Sequence, residues 1–447
     1  MTVKCESQHQ NQQYQQCLDS IFASYMAVKP LLKGKFDREI RKPWIVLGIA
    51  KDLGLLPARH STVRITGSKG KGTTSRLIAQ GVGLAKPQDA VGLLVSPEEI
   101  DHVDRVRVNG ETISFDEFVQ CYNELQPALR EREKLFVEHD YFSPSGLFLL
   151  IALCWFKKRG VRWFVLEGGR GVAFDEVGNI PSQVSVVTSV FSEHLNCLGP
   201  TERDVALDKL SVGASSQTIF LGPSAERWNQ IVNIIPLNRC EFVDVIPNEH
   251  ELPSWVELNR VLAARAVASL VSTDFYPSRL NLSAADFPSF GTFELAGVSG
   301  FYECLISRES LDSEFFASFL RDHVNHRANQ GSYHQANLHA GQYAGQYAAV
   351  VSLPDDKDLD GITSTLVKGF GIPVFHVPLS GTRGYLDYAL TEKNYSSSIV
   401  SRVQFNDAAG FRKIFLDFCH QRNLKFVAVL GTQSFIRLFR RSVNLGV

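Results

Sequence analysis

Apolar residues recur along this chain in two distinct periods. Leu18, Ile21, Phe22 and Tyr25 repeat at helical spacing, so the first stretch, up to about Leu56, is expected to be helical. A helix is expected from Ser145 to Lys158; its core, Leu147 to Phe156, carries no charge and is too short to span a bilayer, so it reads as a buried helix. Short apolar runs of a different kind read as strands: Ser61 to Thr66, Trp163 to Leu166 and Val184 to Thr188, the last two as buried parallel strands. Helices alternating with such strands predict an α/β layer architecture.

Pro288, Gly291, Gly297 and Gly300 break the pattern, and a domain boundary is expected there. Beyond it apolar strands return at Ala348 to Ser352, Pro373 to Val377 and Phe426 to Leu430, with helical patterns between them. The expected organisation is residues 1–286 followed by a smaller α/β unit, 287–447. A near-repeat of Ala-Gly-Gln-Tyr between His334 and Tyr347 reads as a loop insertion.

Composition narrows the function classes. The 447 residues are long for one core and suit two or three domains. With 46 Lys+Arg against 47 Asp+Glu and no long basic run, neither nucleic acid nor an anionic membrane is the expected partner. A chain 44% hydrophobic and 21% charged is expected to be globular and soluble. The eight cysteines show neither CxxC nor zinc-ligand spacing, so they read as buried thiols. The polar, Gln-rich start has no apolar core of a signal peptide, and a cytoplasmic location is expected.

The strongest chemical signal is Thr66-Gly-Ser-Lys-Gly-Lys-Gly-Thr-Thr74, set between an expected strand and a helix expected to begin near Thr73. Glycines there let backbone N–H groups turn around phosphate oxygens, with Lys71 as a point charge and Thr73 as a hydroxyl for Mg²⁺. The spacing is shorter than GxxxxGK[ST], and an ordinary glycine-rich βα turn is the competing reading.

This sequence resembles the Mur ligase superfamily, most closely the folylpolyglutamate and dihydrofolate synthases. Their GTNGKGS loop lines up with Gly67 to Thr73. Their SPH…ERIRVNGEPIS segment resembles Ser96-Pro-Glu and Asp104 to Ser114, and their LEVGLGG(R)LDATN segment resembles Leu166 to Asp175 with Asn179. Further matches are Thr188 to His194, Leu198 to Thr201, Val205 to Lys209, Leu353 to Asp358 against ALADKD, and Val429 to Thr432 against VTGS. The resemblance implies a P-loop ATPase-type central domain, the Mur ligase middle domain, followed by a smaller Rossmann-like C-terminal domain. It also implies an activity: transfer of the ATP γ-phosphoryl to a carboxylate, then displacement of phosphate by an amine to form an amide.

Carried over by position, Gly67, Ser68, Lys69, Gly70, Lys71, Gly72, Thr73 and Thr74 would hold ATP, with Asn259 at the adenine and Asp356 on the second domain. Thr73 and Glu167 would hold one Mg²⁺, and Ser96, His194 and a carbamylated Lys209 a second. Lys71, His194 and Lys209 are then the expected catalytic residues. The pattern breaks in two regions. On the carboxylate-substrate side, Glu98, Phe148, Ala173 and Glu193 stand where the family has histidine, an acidic residue, arginine and aspartate. Between the domains Thr292 replaces an arginine, and Ser307 to Asp312 replaces DGAHNP. Two functions therefore compete: an ATP-dependent amide ligase of altered specificity, and a nucleotide-binding but catalytically silent partner subunit of a ligase.

Overall fold

The computed structural model describes residues 2–98, 101–228, 240–242, 255–281, 291–304, 347–353, 359–369, 372–377, 379–380, 403–404 and 408–443. These separate into two compact units, one within Met1–Pro247 and Trp255–Leu282, the other within Ser283–Val447.

The first unit opens with three helices, α1 (Thr2–Leu32), α2 (Asp37–Ile40) and α3 (Pro43–Asp52), in the stretch expected to be helical. Pro43 takes the first position of α3, where its missing N–H costs nothing. The strands follow as β1 (Thr62–Thr66), β2 (Ala90–Leu94), β3 (Val106–Val108), β4 (Glu111–Thr112), β5 (Val161–Glu167), β6 (Ser182–Val187), β7 (Ser216–Leu221) and β8 (Cys240–Phe242). They form an eight-stranded sheet in the order β4-β3-β2-β5-β1-β6-β7-β8. β2, β5, β1, β6, β7 and β8 run parallel; β3 and β4 are an antiparallel edge.

Helices cover both faces. On one, α4 (Lys71–Ala85) and α9 (Trp255–Val271) bury Leu77, Ile78, Leu262 and Val267 against Val63, Ile65, Val165 and Val186. On the other, α5 (Phe115–Glu133) and α6 (Pro144–Lys158) join α1 and α3 in a second core. Every residue of α6 from Gly146 to Phe156 is buried, which is why its sequence shows no polar stripe. Ser143 caps α6 by accepting from Gly146 N–H at 3.0 Å, and a Ser114–Glu117 capping box starts α5.

Arg64 sits inside β1 and is 1% exposed. Its Nε donates to Ser182 Oγ at 3.0 Å and its Nη2 to Ser216 Oγ and Val212 O, both at 2.8 Å, while Nη1 donates to Gly178 O. Burial pushes this guanidinium down to about 9, and its acceptors are hydroxyls and carbonyls. The residue ties β1, β6 and β7 together on the face away from α4.

The second unit has a five-stranded sheet, β12-β11-β15-β10-β9, built from β9 (Gly291–Leu295), β10 (Val298–Glu303), β11 (Tyr347–Ser352), β12 (Val374–His376) and β15 (Phe426–Gly431). β13 (Leu379–Ser380) and β14 (Val403–Gln404) pair separately. β9 and β10 are an antiparallel hairpin turned at Ala296 and Gly297; the other pairs in the five-stranded sheet are parallel. One face of the sheet buries Val350, Val427 and Val429 against α11 (Ala408–Gln421) and α12 (Gln433–Val443); Ala349, Val351, Ala428 and Leu430 fill the core that includes Ile362 of α10 (Leu359–Ser364). The boundary expected at residue 286, the Ser307 to Asp312 stretch, residues 334–346 and Asp356 lie outside the described residues.

Candidate functional site

In an open parallel sheet, the carboxyl ends of adjacent strands share one edge, and the loops leaving them meet there. β2, β5, β1 and β6 are consecutive in this sheet, so their outgoing loops bring together Ser96, Glu167, the Gly67–Lys71 turn and the Thr188–His194 segment. Residues far apart in sequence become neighbours for that topological reason alone.

The turn after β1 is shaped by two glycines. Gly67 has φ +135°, and a Cβ on it would lie 2.0 Å from Thr188 Oγ1. Gly70 has φ +82°, and a Cβ there would lie 2.5 Å from Asn259 Oδ1. The left-handed Gly70 turns the chain directly into α4, so this helix begins at Lys71, earlier than the Thr73 start expected from sequence. Ser189 braces the turn: its carbonyl accepts from Ser68 N–H at 2.9 Å and its hydroxyl from Lys69 N–H at 2.8 Å. Ser68 Oγ in return accepts from Phe191 N–H at 2.9 Å. Two of the expected phosphate-facing amides are therefore engaged internally. The first-turn N–H groups of α4, from Lys71 to Thr73, have no intrahelical acceptor and supply the anion-binding end.

Lys71 Nζ donates to Gly67 O at 2.8 Å. Burial pushes its amine down to about 8, the Lys209 cation adds to the shift, and Glu193 and Glu167 oppose it. The same charge environment thus joins Lys71, Lys209, Glu193 and Glu167. Glu167 ends β5, is 3% exposed, and accepts from Ser96 N–H at 3.3 Å. Thr73 is also buried, and Thr74 donates to Asn259 Oδ1 at 3.2 Å, which presses the Asn259 carboxamide against Gly70.

Lys209, on α8 (Glu202–Leu210), is 0% exposed. Its Nζ lies 2.9 Å from Glu193 Oε1 and donates to Arg170 O at 3.1 Å. Burial alone would raise the Glu193 carboxyl; Lys209, His194 and Lys71 override it and hold that carboxyl well below the usual carboxylate range. His194 caps the short α7 (Leu195–Leu198) in a left-handed conformation, φ +52°, with Nε2 4.0 Å from Glu193 Oε2. Among the described residues, no group of three or more His, Cys, Asp or Glu side chains is placed to hold a metal ion. Hydroxyl and carboxylate oxygens such as those of Thr73 and Glu167 are nevertheless the donors a hard cation takes alongside phosphate.

Sequence reasoning missed the polar cluster beside this edge. Arg41 pairs with Asp175 and Glu176, both at 2.9 Å, and Ser143 Oγ donates to Glu176 at 2.5 Å. Arg170 grips Asp37 through two bonds, 2.6 and 3.1 Å. Two of the positions that depart from the family pattern prove to be linked through a third residue. Arg105 pairs with Glu98 at 2.6 Å and lies 4.4 Å above the Phe148 ring, while His102 stacks on Phe148 at 5.2 Å and contacts Glu98 at 3.3 Å. Arg105 and Arg41 were visible only as ordinary charges; burial gives them their weight.

No model of a known protein family matches the chain. Its sequence aligns with the dihydrofolate synthase/folylpolyglutamate synthase of Buchnera aphidicola subsp. Schizaphis graminum, 27% identical over 350 residues, covering 75% of this chain and 78% of that one. The Escherichia coli protein of the same description is matched over 39% of its length, at 26% identity. The structure overlays the Mycobacterium tuberculosis folylpolyglutamate synthase complexed with ADP and AMPPCP with a TM-score of 0.68, at 15% identity, over 95% of this chain and 99% of the other. A bifunctional folylpolyglutamate synthase/dihydrofolate synthase with Mn, AMPPNP and L-glutamate bound overlays with a TM-score of 0.66, at 20% identity, over 89% and 93%. The chain is similar to the folylpolyglutamate synthases in sequence and has their fold. This synthase-like chain accordingly carries the expected α/β architecture. Among its described residues, no helix is long and apolar enough to cross a membrane.

The glycine geometry predicts one substitution directly. Gly67→Ala is expected to displace Thr188 and the Ser189 brace and, on the nucleotide-binding reading proposed below, to reduce ATP affinity by at least about tenfold. Isothermal titration with a non-hydrolysable ATP analogue measures it; affinity equal to that of the unaltered chain would mean that the turn does not face the nucleotide.

Proposed function

We propose that this chain is an ATP-dependent ligase that joins a carboxylate substrate to an amino acid or amine through an acyl phosphate, releasing ADP and phosphate. One observation carries the reading: the turn Gly67 to Lys71 opens onto the same sheet edge as Glu167, with the part-buried Lys71 in the charge field of both Glu167 and the Glu193–Lys209 pair. A cation, a carboxylate and a row of helix N–H groups at one strand edge suit the triphosphate of a phosphoryl donor.

In this reading the amides of Gly70 to Thr73 and the Lys71 ammonium bind phosphate oxygens, and Asn259, packed behind Gly70, faces the base. Thr73 and Glu167 would hold Mg²⁺, which supplies neutralisation of the charge on the transferring phosphoryl group. The second-metal reading fits the residues less well. Lys209 Nζ pairs with Glu193 and donates to a carbonyl, an arrangement of the ammonium form; a carbamate there would need a cation between it and Glu193. As an ammonium Lys209 neutralises Glu193; as a carbamate it would serve a second Mg²⁺ with Ser96 and His194, and a carbamate-specific mass shift separates the two.

The Glu98–Arg105–Phe148 cluster supports a carboxylate pocket rebuilt relative to the synthases, because a paired carboxylate and an aromatic ring occupy positions the family gives to other chemistry. Phosphate release with a panel of carboxylates and amines tests the function, with L-glutamate as the first amine because a similar structure holds it. Release dependent on ATP, Mg²⁺, a carboxylate and an amine together is the expected result. ATP binding without phosphate release for any pair, alongside co-purification with an active ligase, would favour the silent-subunit reading instead.

A further inference from the structure

The segment that leaves β2 and carries Ser96 is gripped at both ends by one residue, Arg105. At its start, Val95 N–H donates to Arg105 O at 2.9 Å, one step beyond the Leu94–Val106 pairing of β2 with β3. At its end, the Glu98 carboxylate accepts from the Arg105 guanidinium twice, from Nε at 3.0 Å and from Nη2 at 2.6 Å. Between those two anchors Ser96 N–H donates to Glu167 Oε2 at 3.3 Å. The same carboxylate oxygen faces the start of α4, since a Cβ on Gly72 would lie 3.7 Å from it. Arg105 thus reaches Glu167 through one short stretch of chain, Val95 to Glu98.

The grip is built in the interior. Arg105 is 4% exposed and Glu98 9%. The guanidinium lies 4.4 Å from the centre of the Phe148 ring, which is buried in α6. His102 sits on the same single turn, His102–Arg105, stacks on that ring at 5.2 Å and brings Nδ1 to 3.3 Å from Glu98 Oε2. A planar guanidinium with a ring against its face and a carboxylate at its edge has little freedom left, which a lysine at the same place would keep. Glu98 and Phe148 are also two of the positions at which this chain departs from the family pattern, so the grip belongs to this chain's own residues.

We propose that Arg105 is a positioning residue for the cation site at Glu167. By holding Glu98 it keeps Val95 to Glu98 against the end of β5, and the Ser96 amide then fixes the direction in which the Glu167 carboxylate presents its oxygens to α4. This rests on the reading of Thr73 and Glu167 as the Mg²⁺ ligands. Arg105 itself touches no cation. A carboxylate whose direction is set before the cation arrives loses less orientational freedom on binding it, and residues that orient a ligand from behind tune metal affinity for that reason. Changes at residues 98 and 148, on the carboxylate-substrate side, would in this way alter the cation site without entering it.

The double variant Glu98→Met/Arg105→Met tests the proposal. It removes both charges together, so neither is left buried alone, and apolar side chains of similar length are expected to keep the fold. Circular dichroism and thermal unfolding check that. Amide hydrogen exchange on the unliganded chain reads the grip, and Mn²⁺ titration in the presence of a non-hydrolysable ATP analogue reads the cation site. In the double variant the Ser96 amide should exchange several-fold faster and Mn²⁺ affinity should fall about tenfold or more, while affinity for the analogue without metal stays unchanged. Arg105→Lys keeps the buried charge pair but not the two-bond fork, and should fall between the double variant and the unaltered chain in both readouts; it serves as the test if the double variant does not fold. Unchanged exchange at Ser96 would overturn the proposal, and so would faster exchange with unchanged Mn²⁺ affinity, which is what a purely structural ion pair gives. Glu167→Gln separates the two layers: if it weakens Mn²⁺ binding and the Arg105 variants do not, the positioning role alone fails, and if it leaves Mn²⁺ binding unchanged, the ligand reading of Glu167 fails and the proposal with it.

Discussion

Lys71→Met should abolish ATP-dependent phosphate release and leave the fold as stable as before, or more so. The loss expected is at least about 10²–10³-fold in kcat/KM, the scale of removing one well-placed charge donor from a transferring group. The stability half of the prediction follows from burial. Lys71 is a partly buried cation whose amine is pushed down to about 8 by desolvation first and by Lys209 second. Replacing it with an apolar side chain of similar length removes both penalties, and loses only the bond to Gly67 O. On the proposed reading a bound triphosphate would be the counter-charge that offsets this cost. Steady-state phosphate release and thermal unfolding, measured on the same preparations, check the pair of outcomes. A variant that keeps turnover would remove Lys71 from the phosphoryl-transfer machinery; one that unfolds far more easily would give it a structural role instead.

Glu193→Ala should cost about 3–5 kcal/mol of stability, the price of leaving a buried charge without its partner. Lys209 is 0% exposed and its ammonium lies 2.9 Å from Glu193, so no water can replace the lost carboxylate. Removing the cation as well, in Glu193→Ala/Lys209→Met, should recover most of the loss, and a double-mutant cycle in denaturant measures the coupling. The acid response follows with a definite sign. Glu193 is held well below the ordinary carboxylate range in the folded chain, against its own burial, by Lys209, His194 and Lys71. Its contribution is therefore present above the unfolded carboxyl value and is lost as pH falls through the folded one. The Glu193→Ala variant should lack that component, so the stability gap between variant and unaltered chain narrows in acid. A gap that stays constant from neutral pH into acid would mean that the pair is not what stabilises the site.

The two predictions draw on different layers of information. The turn around Lys71 was legible from sequence because it is local: a strand of β-branched residues, closely spaced glycines and a helix start lie within a dozen residues or so, and positive φ at Gly67 and Gly70 restricts what can stand there. Glu167 and His194 were reachable only through resemblance, since each is a single polar residue beyond an apolar strand. The Glu193–Lys209 pair was not legible. One lies in a loop after β6 and the other on α8, and nothing in their spacing says that the side chains meet. Arg64 gave a weak signal, a charge inside an apolar strand. Its acceptors come from Gly178, Ser182, Val212 and Ser216, which pattern cannot assemble.

The cysteines make the same point in reverse. Their sequence spacing excludes a disulfide framework of the closely spaced kind, and most of those described are buried as expected. Cys121 and Cys154 enter one core because α5 and α6 pack there with Phe118, Leu125, Leu150 and Ile151, which spacing alone does not show.

By itself the sequence determined the alternation of helices and strands, the glycine turn after β1 and the buried character of α6, because periodicity, glycine conformations and apolar run length are short-range properties. Only the tertiary structure decided which residues share the carboxyl edge of the sheet, how the charges of Lys71, Lys209, Glu193 and Glu167 are balanced, and which departures from the family pattern touch one another. Those depend on strand order and on the removal of charges from water, and both arise when distant segments pack.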